Sequence, residues 1–168
     1  FASEPMFQST MLLLQERIPR AVAFYRQIAE DNIVRKSTRD KEFPARTFNT
    51  PHTPVPKVQL LSNGRYHVML TNAGGGYSRF QDIDITRWRE DSTRDNWGTF
   101  CYIRDVASGE FWSTAYQPTL KRPERYEAIF SDAKVDFRRR DNEINTHAEI
   151  AVSPEDDIEL RRIRITNR

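Results

Sequence analysis

Beyond Val58 the sequence falls into ten short strand-like runs separated by turn residues, with no stretch of helical period between them. Parallel strands need a long crossover, usually a helix, so such a chain is restricted to antiparallel pairing. The expectation is a mainly β fold, an antiparallel β-sandwich. The runs are Val58–Ser62, Arg65–Thr71, Tyr77–Phe80, Ile83–Thr86, Thr99–Arg104, Glu110–Tyr116, Tyr126–Phe130, Val135–Arg139, Glu143–Val152 and Asp157–Thr166. Asn63-Gly64, between the first two, is a strong hairpin signal and predicts a type I′ turn with positive φ at both central residues. Ser108-Gly109 marks a second hairpin, and Ser153-Pro154-Glu155-Asp156 a turn between the last two strands. Ile144, Thr146, Ala148, Ile150 and Val152 keep strict period two. In the final run Ile158 and Leu160 share one phase while Ile163 and Ile165 share the other, which predicts a β-bulge near Arg161-Arg162.

Residues 1–50 differ in character. Ser3-Glu4-Pro5 is a helix start, with Ser3 as N-cap. Phe7, Met11, Leu14 and Ile18 follow at helical spacing until Pro19 stops the pattern. A second helical stretch runs from Ala21 to Glu30, with Val22, Tyr25 and Ile28 on one side. From Arg35 to Asn49 the sequence is charged and aperiodic, and Pro51, Pro54 and Pro56 follow, as in a linker. The predicted organisation is a helical and linker segment to about residue 56, then a β-domain. Starting at Phe1 and stopping after strand-like sequence, the chain reads as a piece of something larger.

Composition narrows the function. The 26 basic residues nearly balance 24 acidic ones, leaving +2, which argues against a nucleic-acid partner. Cys101 is the single cysteine, so no disulfide framework forms; it alternates with Phe100 and Tyr102 and reads as packing material. His52, His67 and His147 lie far apart without Cys or His partners at ligand spacing, and no metal site is predicted. The longest apolar run, Met11 to Leu14, is too short to span a bilayer, no signal peptide is evident, and no membrane insertion by this segment is expected.

Three segments have the residue types for ligand chemistry. Asn72-Ala73-Gly74-Gly75-Gly76-Tyr77 can approach a ligand closely through its backbone. A phosphate loop would need a helix to follow and a Gly-Lys-Ser/Thr ending, and strand-like sequence follows instead. A tight connection between strands is the plainer reading. The stretch Thr86 to Gly98 mixes three arginines, three carboxylates, Asn96, Trp88 and Trp97. Aromatic faces stack on sugar rings while carboxylates, amides and guanidinium groups hydrogen-bond hydroxyls. The alternative is that both tryptophans are core and the charges solvate a long loop. In Trp112 to Pro118, Trp112 and Tyr116 share a strand face, and Gln117 at the strand end can point an amide into a cleft. Arg138-Arg139-Arg140 reads as a solvated edge. No carboxylate pair can be picked as acid and base, since that depends on spatial separation. No serine lies in a Gly-x-Ser-x-Gly elbow, and no catalytic residue is assigned.

Leu61-Ser62-Asn63-Gly64-Arg65-Tyr66 and Thr71-Asn72-Ala73-Gly74-Gly75-Gly76-Tyr77-Ser78 resemble glycoside hydrolase family 94, the cellobiose, chitobiose and related phosphorylases. The likeness continues through Thr86-Arg87-Trp88-Arg89, Tyr102-Ile103-Arg104-Asp105, and Trp112-Ser113 with Tyr116-Gln117-Pro118. Leu13 to Arg20 and Ala151 to Asp157 look more like the cyclic β-1,2-glucan synthases, large membrane enzymes that end in a family 94 module.

The resemblance implies a galactose-mutarotase-type supersandwich over residues 51–168, incomplete here, joined in the family to an (α/α)6 barrel, with residues 1–50 a helical segment and linker from a preceding module. That barrel carries the catalytic aspartate, and inorganic phosphate is the co-substrate; no other cofactor is implied. It also implies a β-glucan oligosaccharide, the rest of the parent polypeptide and a second copy in a homodimer as partners. The expected location is the cytoplasm or the cytoplasmic face of the bacterial inner membrane. Asn72, Gly74, Gly75, Gly76, Tyr77, Arg87, Trp88, Arg89, Trp97 and Gln117 are the candidate sugar-facing residues. Arg-Trp-Arg-Glu-Asp stands where simpler phosphorylases tend to be Tyr-rich. The expected role is a non-catalytic domain of a glucan-processing enzyme. The alternatives are an independent carbohydrate-binding module and a purely structural interface domain.

Overall fold

The computed structural model describes residues 44–89, 91 and 93–168. The helices expected between residues 3 and 30 lie outside the described residues. The described part is built of antiparallel strands: β1 (Arg46–Phe48), β2 (Val58–Ser62), β3 (Tyr66–Thr71), β4 (Gly76–Phe80), β5 (Ile83–Asp84), β6 (Tyr102–Arg104), β7 (Phe111–Ser113), β8 (Arg125–Phe130), β9 (Lys134–Asp141), β10 (Ile144–Val152) and β11 (Glu159–Asn167). They form a five-stranded sheet ordered β1-β8-β9-β10-β11, a four-stranded sheet ordered β2-β3-β4-β5 and the hairpin β6-β7.

The two larger sheets face each other across one core. Leu61, Val68 and Leu70 come from the smaller sheet; Ala128, Phe130, Val135, Phe137, Ala148 and Ile150 come from the larger. Period-two alternation places the latter set on one face. Register aligns Ala128 with Phe137 and Phe137 with Ala148, so one large ring sits between two methyl groups. Burying that ring contributes about 2–3 kcal/mol. Phe48 packs edge-on against Phe130 at 5.2 Å between centroids. Arg46 reaches from β1 to the Val58 carbonyl at 2.9 Å, and Gln59 returns to the Ser131 carbonyl at 3.0 Å, tying the sheets together along one side.

Four sequence expectations change here. Arg46–Phe48 falls in the stretch read as linker, yet pairs with β8 in the larger sheet. The β2–β3 turn is not type I′ centred on Asn63-Gly64: only Gly64 has positive φ, at 94°. Asn63 instead accepts backbone N–H bonds from Arg65 and Tyr66 through its side-chain oxygen, an Asx arrangement that closes the turn without left-handed Asn63. The β-bulge is absent, because β10 and β11 pair without interruption from Ile144↔Asn167 to Val152↔Glu159. The apolar phase switches because the inward positions Glu159 and Arg161 are polar. Glu159 accepts from Ser78 Oγ and Arg161 Nε, both at 2.5 Å, and Arg161 donates to the Thr99 carbonyl at 2.6 Å. Leu160 is left outward and exposed. Finally, Arg138-Arg139-Arg140 lies on β9, an interior strand, and Arg139 is wholly buried.

Arg139 points into the core with Asp141, two residues along the same face. The Arg139 fork meets the Asp141 carboxylate with two bonds of 2.6 Å. Its remaining donors go to the carbonyls of Ala115 and Lys121. A buried charge is tolerated only when paired and hydrogen-bonded, and this one uses the pair to fix the 115–121 loop against the sheet. Trp112, fully buried on β7, carries Lys121 Nζ over its ring at 4.6 Å.

Candidate functional site

Asn72 to Gly75 connect β3 to β4 in a tight turn. Gly74 N donates to the Thr71 carbonyl at 3.0 Å, and Thr71 N donates to the Gly75 carbonyl at 2.8 Å. The Thr71 hydroxyl accepts from Gly75 N at 3.1 Å and donates to the Asp95 carboxylate. A Cβ at Gly75 would stand 2.0 Å from Asp95 Oδ1, so the missing side chain is the space that Asp95 occupies. Gly76 has φ of 155°, and its Cβ would stand 1.9 Å from the Met69 carbonyl oxygen. Its N–H donates to the Trp97 carbonyl at 2.8 Å. The glycines thus serve close backbone approach, with neighbouring protein segments as the groups approached.

Asn72 is 1% exposed, and its amide holds the Pro-rich strap in place. Its Oδ1 accepts from Lys57 N at 2.9 Å, and its Nδ2 donates to the carbonyls of Thr50 and Pro51. The Asn72 carbonyl accepts from the buried Tyr126 hydroxyl at 2.7 Å. The chain after β7 docks on the same turn: Tyr116 N and Gln117 N both donate to the Ala73 carbonyl, at 3.1 and 2.9 Å. Gln117 precedes a cis peptide to Pro118. The strand itself ends at Ser113, so Tyr116 lies beyond it and packs edge-on to His52 at 4.7 Å.

These segments enclose an open cleft of about 330 Å³, walled by the strap, the Asn72–Ala73 turn, Asp91, Thr93, Arg94 and Asp95, and Tyr116-Gln117. Asp95 sits half-buried in its wall, and burial pushes its carboxyl up, against the lowering effect of the Thr71 hydrogen bond. Asp91 is held below the ordinary range by the Thr93 hydroxyl and backbone N–H. A carboxyl, an amide and an aromatic edge around one cleft suit the hydroxyls of a polyol ligand.

The Arg/Trp stretch divides into two places. Trp97 is half-buried behind the glycine turn, whereas Trp88 is 41% exposed and leans on Tyr77 with 5.6 Å between ring centroids and 58° between planes. Arg87 and Arg89 flank it, both exposed. Asn72, Gly74, Gly75, Gly76, Trp97 and Gln117 therefore gather around the turn, with Tyr77 and Trp88 forming a separate aromatic pair. Sequence reasoning named Tyr116 only as a strand-face residue and did not pick out Asp95, Thr71 or His52 for the site. Asp95 was one of several carboxylates in a polar loop, and only its fit against Gly75 distinguishes it.

On the outer face of the larger sheet, Asp136, His147 and Glu149 bring potential ligand atoms within 4.8 Å of one another. That space already has cations. Lys134 Nζ lies 3.2 Å from Asp136 and 3.0 Å from Glu149, and Arg162 also binds Glu149. His147 Nε2 lies 2.7 Å from Asp136. The cluster reads as an ion-pair network and not as a metal centre.

Two facing antiparallel sheets with a polar, aromatic loop cluster define a β-sandwich domain whose adaptable surface lies on loops. Residues 41–168 match the model of the glycosyl hydrolase 94 supersandwich domain, and the chain belongs to that family. The cyclic beta-(1,2)-glucan synthase of Rhizobium meliloti is 33% identical over 168 residues, 99% of this chain and 6% of the relative. The N,N'-diacetylchitobiose phosphorylase of Vibrio furnissii is 31% identical over 74 residues, 42% of this chain and 9% of the relative. The 3-O-beta-D-glucopyranosyl-beta-D-glucuronide phosphorylase of Paenibacillus borealis is 28% identical over 123 residues, 71% of this chain and 15% of the relative. The chain thus spans a small part of the length of each of these relatives.

Proposed function

We propose that this sandwich is a non-catalytic, sugar-facing domain of a glucan-processing phosphorylase or cyclic β-1,2-glucan synthase. It helps shape the sugar cleft and a dimer interface beside an (α/α)6 barrel that carries the catalytic acid, with inorganic phosphate as the co-substrate of the whole enzyme. The relatives' names support the substrate class, and one observation in this chain carries the sugar contact. Trp88 is held half out of the surface by Tyr77, with arginines on both sides. An exposed indole propped at a fixed tilt offers a face to the C–H side of a sugar ring, and guanidinium groups beside it can bond ring hydroxyls.

Tryptophan fluorescence of the chain titrated with β-1,2-glucan oligosaccharides tests this reading. A saturable change lost in Trp88→Ala supports it. A flat titration in both proteins removes the sugar contact and leaves a purely structural interface domain. Phosphorolysis by the 168-residue chain alone would overturn the non-catalytic role.

A further inference from the structure

The outer face of the five-stranded sheet holds a basic groove apart from the loop cluster, and its reading does not depend on the sugar proposal. Register sets Arg125 opposite Arg140, Arg138 opposite His147, and His147 opposite Arg164. Strand alternation sends these side chains outward while Tyr126, Val135, Phe137 and Arg139 point inward. Like charges directly across a sheet are destabilising, so the Arg125–Arg140 pair is a standing cost, whereas His147 already meets Asp136 at 2.7 Å.

Compensation within this groove is thin. Glu127 is the carboxylate in its lining, and it approaches Arg138 at 3.5 Å. Arg140 is divided between Glu124 at 3.4 Å and Glu143 at 3.9 Å. Arg125 and Arg164 form no ion pair with any described residue. A short step away on the same face the opposite holds, with Lys134 and Arg162 both bonded to Glu149 at 3.0 and 2.5 Å. The groove measures about 440 Å³, and Asn145 and Thr166 add neutral hydrogen-bonding groups.

We propose that this groove binds a small soluble anion bearing a phosphate group, either inorganic phosphate or a phosphate monoester. Several guanidinium forks converging on one space match phosphate oxygens in pairs, and phosphate has enough charge to offset more than one of them. Extended polyanions fit less well. Glu124, Glu127 and Glu143 border the basic residues, and the whole chain has a formal charge of only +2, so no broad positive field exists for a membrane or a nucleic acid.

Isothermal titration calorimetry of the chain with inorganic phosphate, and separately with glycerol 3-phosphate, tests the site. Saturable binding that weakens with added sodium chloride is expected. Arg164→Ala and Arg125→Ala should each weaken it about tenfold or more, and Arg162→Ala, outside the groove, should leave it unchanged. Glu127→Gln should tighten binding, a direction that a folding defect cannot produce; circular dichroism checks each variant. No saturable heat with either probe overturns the proposal, as does equal affinity in the Arg125 and Arg164 variants. Binding to phosphatidylglycerol vesicles without binding to either soluble phosphate would also overturn it, in favour of a membrane surface.

Discussion

Arg139 and Asp141, two residues apart on one strand, meet in a buried bidentate ion pair, with side chains 0% and 2% exposed. The pair also carries the carbonyls of Ala115 and Lys121, so it joins the central strand to the loop behind the candidate cleft. Asp141→Ala leaves a buried guanidinium without its counter-charge and should cost about 3–5 kcal/mol, read by urea denaturation. Arg139→Leu in the same background should recover part of that loss. If Asp141→Ala alone changes stability by less than about 1 kcal/mol, the pair is not holding the loop.

Gly75→Ala tests the fit between the glycine turn and Asp95. The added methyl would meet both the Asp95 carboxylate and its backbone carbonyl. An overpacking cost of about 1–3 kcal/mol is expected in denaturant titrations. Asp95→Ala in that background should recover only part, because the backbone contact persists.

Two carboxyls impose opposite pH dependences. Burial raises Asp95, so between its unfolded value of about 3.9 and its folded value the folded chain keeps a proton that the unfolded chain has lost. Stability from this group is full below that range and is lost as pH rises through the folded value. Asp95→Asn should therefore raise the melting temperature at pH 7, with the gain vanishing below about pH 4.

Glu149 is held down at about 2 by Lys134 and then Arg162. Its contribution is present above its unfolded value of about 4.3 and is lost as pH falls through the folded one. Glu149→Gln should lower the melting temperature at pH 7, and the difference from the parent should close between pH 4.3 and 2, roughly. Melting curves across pH 2 to 8, roughly, read both variants.

The Tyr77–Trp88 pair makes a graded prediction. Trp88→Ala removes the stacking face and should abolish the fluorescence response to glucan. Tyr77→Ala leaves the indole but removes its prop, and should weaken binding about threefold to tenfold. Unchanged affinity in Tyr77→Ala would mean that Trp88 needs no positioning.

Much of the sandwich was legible because its strands obey period two and its turns carry Gly, Asn, Asp and Pro. The final strand misled because alternation reports only apolar side chains. Glu159 and Arg161 face inward there, and the partners that make this tolerable, Ser78 and the Thr99 carbonyl, come from distant segments. Arg46–Phe48 is three residues long and exists through pairing with β8, which no local pattern announces. Within the candidate site, the glycine run and the Arg/Trp stretch were visible as unusual composition. Asn72 was read as sugar-facing, whereas its amide is spent on the strap. Residues at a turn look alike in sequence whether they face a ligand or another loop.

The alignment of Ala128, Phe137 and Ala148 across three strands also bears on how this domain diverges. The three positions share one allotment of volume, so a single enlargement at either alanine overpacks the row while the aromatic remains. Paired steps that shrink one position as another grows stay open. Divergent members of the family should therefore exchange sizes along this row together, and chimaeras that mix β9 of one with β10 of another should fail where those histories differ.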